Sequence, residues 1–490
     1  MEAKGSILTK ERKAMVRNKN IGGYLPLEWP GFAPTLLLGF QHFLAIFPAT
    51  VLVPVLTGFN VSATLFASGC ATLAALVVTR FRVPLYYGSS FSAIAAVMMV
   101  VKANGGGDVG VSIALVGIAV AGVTQILVGL LIVKMGPQWV VRVLPAGLQG
   151  SVAMIIAYAL SSAAIDMASG MCCLVDQAGK PIASLTWWTV AFVTFLAVVF
   201  WTWRLRSGLL GMLPILGGGF VGYLVAIPLG LVNFAPVFSA EVVRPPHLVF
   251  PAFGNPAALA AVLSIVPVVI ATIPESLAHF YQVRIAIKDI AKRHGKKAED
   301  IEYLVGRNIV GDGLGDVITG MLGGAMGTNY GETIATIIAS GAATVFAVMT
   351  AAILGILSGF SGHLEALVET IPTAVTGGLA IYMFAAFGIV GIKMLLEAGD
   401  LLEPKNVAIV SVVLILGIGG GNKYGGSLPV PLPPGLDTLL PGGVPAIAAA
   451  ALSGILLNTM FTLFPTAQDL VERRAAPVLA DASDPVDTNK

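Results

Sequence analysis

A chain of 490 residues with 56% hydrophobic and only 11% charged residues lies far from the roughly 25% charged residues of a soluble domain. Its net charge of +2 gives no sign of a nucleic-acid partner, because the basic residues stand in membrane-edge loops and not along a stripe. Cys70, Cys172 and Cys173 have no metal-ligand spacing, and adjacent cysteines rarely bridge each other.

The polar, basic start, MEAKGSILTKERKAMVRNKN, lacks the apolar core and cleavage site of a signal peptide. From near Phe32 to near Phe464, apolar blocks recur at about 17–25 residues, enough to cross a bilayer as helix. The predicted class is an all-α polytopic membrane protein. Fourteen segments are expected, beginning near Pro34, Val61, Tyr86, Gly110, Gln138, Trp187, Gly208, Ala257, Asn308, Thr328, Ala342, Leu364, Asn406 and Val444.

The first segment, LGFQHFLAIFPATVLVPVLTG, sets Gln41 and His42 among apolar residues, with Pro48 able to bend it. A lone His there serves as readily in packing as in binding. The third, YYGSSFSAIAAVMMVV, opens with Gly88, Ser89 and Ser90 before a short apolar run. The tenth, TNYGETIATIIAS, opens alike with Thr328, Asn329 and Gly331. Runs of about eleven residues give roughly 16 Å of helix, about half a bilayer. Ser, Thr and Asn cap helix N-termini. The expectation is two half-helices, each preceded by a short extended strand, with their N–H groups converging near the midplane.

The eighth segment, VVIATIPESLAHFYQV, holds Glu275, and Pro274 is expected to break the helix just before it. His279 lies at i+4 from Glu275 and so shares its face. Such a pair can take and pass a proton, because His titrates near neutrality; the bland alternative is an interhelical hydrogen bond. In NIVGDGLGDVITG of the ninth segment, Asp312 and Asp316 stand four apart. They either line a path or pair with cytoplasmic cations. Glu332, at the head of the tenth segment, would sit at the mouth of the cavity between the half-helix ends, where the N-terminal partial charge eases an acid. A Glu that merely caps its own helix is the competing reading. A carboxylate at membrane depth otherwise marks a functional site.

Basic residues gather before the first segment (Lys10, Arg12, Lys13, Arg17, Lys19). They recur after the second, fourth, sixth, eighth, twelfth and last segments, as at Arg80 and Arg82 or Arg473 and Arg474. This alternation predicts both termini in the cytoplasm. Fourteen divides into two sevens, and an odd repeat unit inverts its second copy. No nucleophile–base pair or metal cluster suggests an enzyme.

The stretches LGFQHFLAIFPATVLVPVLTG, YYGSSFSAIAA, PESLAH and TNYGETIA together resemble the nucleobase–ascorbate transporter family, also called nucleobase:cation symporters, and most its bacterial uracil permease branch. The resemblance covers nearly the whole chain. It implies two inverted seven-segment repeats, with a cytoplasmic tail at 1–31, a core domain at 32–135 and 257–362, a gate domain at 136–235 and 363–466, and a second cytoplasmic tail at 467–490. It implies that Glu275 and Glu332 accept from the N–H groups of a base, while the amides of Phe91 and Gly331 donate to its carbonyls. Phe91, Tyr330 and Ala49 would pack on the ring, and His279 with Glu275 would couple a proton. Gln41, His42, Ser90, Thr333 and Asp312 would support the site. The implied protein needs no cofactor beyond a coupling proton. It sits among lipid in a bacterial inner membrane as a homodimer.

Two positions depart from the family pattern. Thr328 stands where the purine transporters carry Gln or Glu, and Thr333 where the uracil branch carries Asn. A purine such as xanthine or urate stays open as substrate, as does sodium as coupling ion. An anion exchanger of the same seven-plus-seven plan is disfavoured because Glu332 would repel its ligand.

Overall fold

The computed structural model describes residues 23–205, 211, 213–399, 401–423, 426–431, 433 and 443–464. Lys10, Arg12, Lys13, Arg17, Lys19, Arg206, Arg473 and Arg474, most of the 1–31 tail and all of 467–490 lie outside the described residues. Among the described residues, eight helices are long and apolar enough to cross a membrane, and the chain is an integral membrane protein.

Helix α1 (Phe32–Thr57) ends where Gly58 takes a left-handed φ of 79°. Asn60 then caps α2 (Val61–Val78), its side chain accepting from Ala63 N–H. Strand β1 (Tyr87–Ser89) and a 3-10 turn, Phe91–Ala93, lead into the short α3 (Ile94–Ala103). There follow α4 (Gly107–Met135), α5 (Gln138–Val143), α6 (Ala146–Ser169), α7 (Leu185–Arg204), α8 (Pro214–Ala226) and α9 (Ala235–Ser239). The second half runs through α10 (Ala258–Ile265), α11 (Val269–Arg293), α12 (Val305–Leu322), β2 (Gly327–Asn329), α13 (Gly331–Ser340) and α14 (Val345–Gly359). It closes with α15 (Gly362–Glu369), α16 (Thr373–Glu397), α17 (Pro404–Lys423) and α18 (Ala446–Leu463).

Two bodies of packing emerge. Helix α4 lies along α12, α2 packs on both α12 and α14, and α1 on α13 and α14. Separately, α6 lies along α16 and α17, α7 along α8 and α16, and α17 along α18. In lipid, helices associate by close backbone approach at small residues. Gly122 and Gly313 show it: a Cβ on either would stand 2.5–2.6 Å from the other's carbonyl oxygen.

Three expectations are corrected. Pro274 lies inside the continuous α11; the helix is interrupted upstream, at the 3-10 turn Val266–Val268 that carries Pro267. The segment placed near Leu364 is divided, with the short α15 separated from α16 by Thr370, Ile371 and Pro372. Cys172 and Cys173, adjacent as they are, are joined as a disulfide.

Candidate functional site

The site grows from a strand pair formed by segments far apart in sequence. Strands β1 and β2 pair antiparallel, with Tyr87 opposite Asn329, Gly88 opposite Thr328 and Ser89 opposite Gly327. Ser90 N–H donates to Met326 O at 2.8 Å, and Tyr330 N–H to Tyr86 O at 2.9 Å, so the ladder continues by one bond at each end. All six strand residues are buried, the condition under which extended backbone survives at membrane depth. The outer edge of β1 is satisfied by α2: Tyr87 N–H donates to Thr72 Oγ1 at 3.1 Å, and Ser68 Oγ donates to Tyr87 O at 2.6 Å.

Past the ladder, the chain turns into helix on both sides. Phe91 opens the 3-10 turn, where Ser90 Oγ accepts from Ser92 N–H at 3.3 Å. Gly331 opens α13 directly, and its N-cap residue Tyr330 makes no side-chain capping bond. The first-turn amides of a helix have no partner within it, and they carry its positive end. Phe91 and Gly331 therefore mark two converging donor ends.

Glu332 follows in the first turn of α13. It interacts electrostatically with both Glu275 and His279 of α11. Glu275 Oε2 accepts from Ser92 Oγ at 3.1 Å. Phe91, Gly331, Glu332, Glu275 and His279 each keep partial exposure, whereas Ser90, Ser92 and Thr333 around them are buried.

His279 does not hydrogen-bond to Glu275, its i+4 neighbour. Its Nδ1 stands 2.9 Å from Asn329 O and 3.0 Å from Asn329 Oδ1. A carbonyl oxygen only accepts, so Nδ1 carries the hydrogen, and in the neutral ring Nε2 is left as acceptor. Nε2 faces Gly331, where a Cβ would lie 3.0 Å from it. Asn329 Nδ2 and Asn308 Nδ2 both donate to Ser276 Oγ, each at 2.9 Å. Ser92 and Asn329 are thus site supports that the spacing of acids did not single out. Their signal is a polar residue one or two places from a half-helix start.

Tyr330 is turned into the wall of the site. Its hydroxyl donates to Ser89 O at 2.9 Å and accepts from Thr50 Oγ1 at 3.3 Å. Its ring lies so close to Gly88 that a Cβ there would stand 2.4 Å from a ring carbon. Ala49 is buried in the same apolar cluster. Gln41 is half-buried on α1. His42 is buried with both ring nitrogens unpartnered among the described residues, and so is Thr333 Oγ1. Asp312 is buried and accepts a long bond, 3.4 Å, from Thr328 Oγ1. A cavity of about 900 Å³ opens beside α3 between the two packing bodies. Met98, Met99, Leu160 and Ile447 help to line it, but neither acid does. Among the described residues no cluster of three metal-ligating side chains occurs.

Buried strands feeding two short helices, with acids at their meeting point and a helical body of membrane-spanning length around them, define a membrane permease. The chain belongs to the Permease family, the nucleobase–ascorbate transporters, whose family model matches residues 33–422. It is 33% identical over 445 residues to the uracil permease of Bacillus caldolyticus, covering 90% of this chain and 95% of that protein. With the uracil permease of Escherichia coli K12 the identity is 30% over 465 residues, 94% and 98% of the two chains. Like these relatives it is a permease and not an enzyme. Among solved structures, the transmembrane domain of the cyanobacterial bicarbonate transporter BicA is similar with a TM-score of 0.53 at 17% identity, over 79% of this chain and 95% of that one. The murine solute carrier 26 member A9 anion transporter gives 0.58 at 11%, over 88% and 68%. These two share the fold.

Proposed function

We propose that the protein is a secondary active transporter that takes up a nucleobase, uracil or a related pyrimidine, together with a proton by alternating access. One observation carries the reading: Glu275 accepts from Ser92 at the start of one strand-paired short helix, and Glu332 lies in the first turn of the other. The names of the uracil permease relatives supply the substrate class.

A pyrimidine is flat and neutral, with imide N–H donors beside carbonyl acceptors. Carboxylates accept from its N–H groups, and the amides of Phe91 and Gly331 donate to its carbonyls. Phe91 supplies a ring face at the opening. An unmatched buried donor or acceptor costs about 1–3 kcal/mol, so a base lacking one imide N–H is expected to bind poorly. Glu275, with His279 one turn on and held by Asn329, carries the proton. The packing body of α1–α4 and α10–α14 is the moving core, and that of α6–α8 and α16–α18 the gate. In this reading the chain is two inverted seven-segment repeats, each giving four segments to the core and three to the gate, in a dimer of the bacterial inner membrane with both termini in the cytoplasm.

Purified protein in liposomes tests the proposal. Radiolabelled uracil is expected to accumulate when the outside is acid, and to be displaced by pyrimidines in preference to xanthine, urate or ascorbate. Indifference to the pH gradient removes proton coupling, and displacement led by purines moves the substrate class. Anion exchange is disfavoured, since two acids at the helix ends would repel an anion.

A further inference from the structure

Asp316 of α12 is fully buried, at 0% exposure, and meets three other elements at once. Its Oδ1 accepts from the Tyr87 hydroxyl of β1 at 2.6 Å and from the backbone N–H of Gly327, the first residue of β2, at 2.8 Å. Its Oδ2 accepts from Gln125 Nε2 of α4 at 3.1 Å. The same Gln125 nitrogen donates to Thr272 Oγ1 at 2.8 Å, and Thr272 stands about one helical turn before Glu275 on α11. One carboxylate therefore ties both strands to the helix that carries the other acid.

It adds to the ladder bonds and to the Tyr330 hydroxyl on Ser89 O, which hold the same register. Strand pairs this short are marginal on their own. The Tyr87 ring is wedged between glycines: a Cβ at Gly315 or at Gly327 would stand 2.5 Å from it. Its hydroxyl is thereby aimed, and Asp316 receives it. The neighbouring acid, Asp312, differs. It borders a void of about 10 Å³ with Asn308, Asn329 and Tyr87, at the lower limit for one water; Asp316 does not line that void.

We propose that Asp316 is a positioning residue for base recognition, which sets the spacing between the Phe91 and Gly331 amides and the Glu275–Glu332 pair through the strands it holds. This rests on the nucleobase reading above. Asp316 acts as a fixed acceptor of three hydrogen bonds and not as a carrier of the coupled proton.

The test is equilibrium binding of uracil and ring analogues, and gradient-driven uptake, by the full chain in liposomes. Asp316→Asn keeps an acceptor oxygen for Tyr87 and Gly327, and Gln125 can turn its amide over to meet the new NH2. Its affinity is expected within about 3-fold of wild type, with gradient-driven accumulation intact. Asp316→Ala removes every acceptor. It is expected to weaken binding about 10-fold or more and to compress the ranking among analogues, while maximal uptake per folded molecule stays within about 2-fold. A role in stability alone would lower the yield of folded protein and leave KM and ranking unmoved. Should Asp316→Ala not fold, Tyr87→Phe removes one donor at nearly constant volume, and an expected weakening of about 3-fold then decides. Wild-type affinity and ranking in Asp316→Ala, or in Tyr87→Phe, overturns the proposal. So does an Asp316→Asn that keeps affinity but loses accumulation. Failure of the wild-type protein to bind any nucleobase is a separate result: it removes the functional reading, and the positioning role falls with it.

Discussion

The two strand–helix units, 87–103 and 327–340, share a backbone plan and differ in chemistry. The first reaches its helix through a 3-10 turn, with Ser90 occupying an early amide as a cap. The second enters helix at once, has no side-chain cap at Tyr330, and brings a carboxylate in its first turn. At its helix start the first unit meets a carboxylate through Ser92, which donates to Glu275 on another helix, and its strand meets a second through Tyr87 and Asp316. Paired half-helices thus give a site two unlike walls: one neutral, with an aromatic face at Phe91, and one acidic.

If that asymmetry governs recognition, substitutions in the two units should differ in scale. Glu332→Gln is expected to have the largest effect, a loss of about 100-fold in uracil affinity as a charge-assisted acceptor becomes a neutral one; wild-type binding would remove the acidic wall from the site. Glu275→Gln should weaken binding about 10-fold or more and abolish accumulation under a pH gradient, since a glutamine carries no exchangeable proton load. Ser92→Ala leaves Glu275 short of one donor. A drop of about 5-fold in affinity is expected, from a hydrogen bond of about 1 kcal/mol. An equal loss in Ser92→Ala and Glu332→Gln would erase the distinction between the units. The smallest effect belongs outside both units, where the end of α11 meets the loop after it. There hydrogen bonds from Arg284, then Lys288, hold the Asp300 carboxyl below the usual range. The stabilisation is complete above the unfolded pKa near 3.9 and is lost as pH falls through the lower folded value. Lys288→Ala is expected to change the thermal midpoint only slightly at pH 7, since exposed pairs contribute about 0–1 kcal/mol.

Much of this was legible in the residues. Long apolar blocks separated by basic loops announce membrane helices, and the short runs after Gly88–Ser90 and Thr328–Asn329 announce strands that turn into half-helices. The acids stood out because charge at membrane depth is costly. The partners of those acids were not legible. Spacing of i, i+4 places two side chains on one face of a helix, but it does not say which leans on a neighbour. His279 thus turns to Asn329 although Glu275 shares its face. From spacing alone Asp316 could line a path or pair with a cytoplasmic cation; its donors, Tyr87, Gly327 and Gln125, come from three other elements, and no local pattern couples them. Pro274 was the natural place for a break. Pro267 takes that role instead, because the wider packing decides where a helix gives way.

The Tyr330 hydroxyl donates to Ser89 O across 241 residues of chain. A ribosome that has released only the first half of the protein has made one edge of the central ribbon with nothing to pair against it. Until the later edge emerges and threads beside it, the main-chain groups of Gly88 and Ser89 must wait in water, in the insertion machinery or against a chaperone. Biogenesis of this protein should therefore have a late, slow step at which the middle of the membrane body closes. Coexpressed halves would be expected to mature only by finding each other.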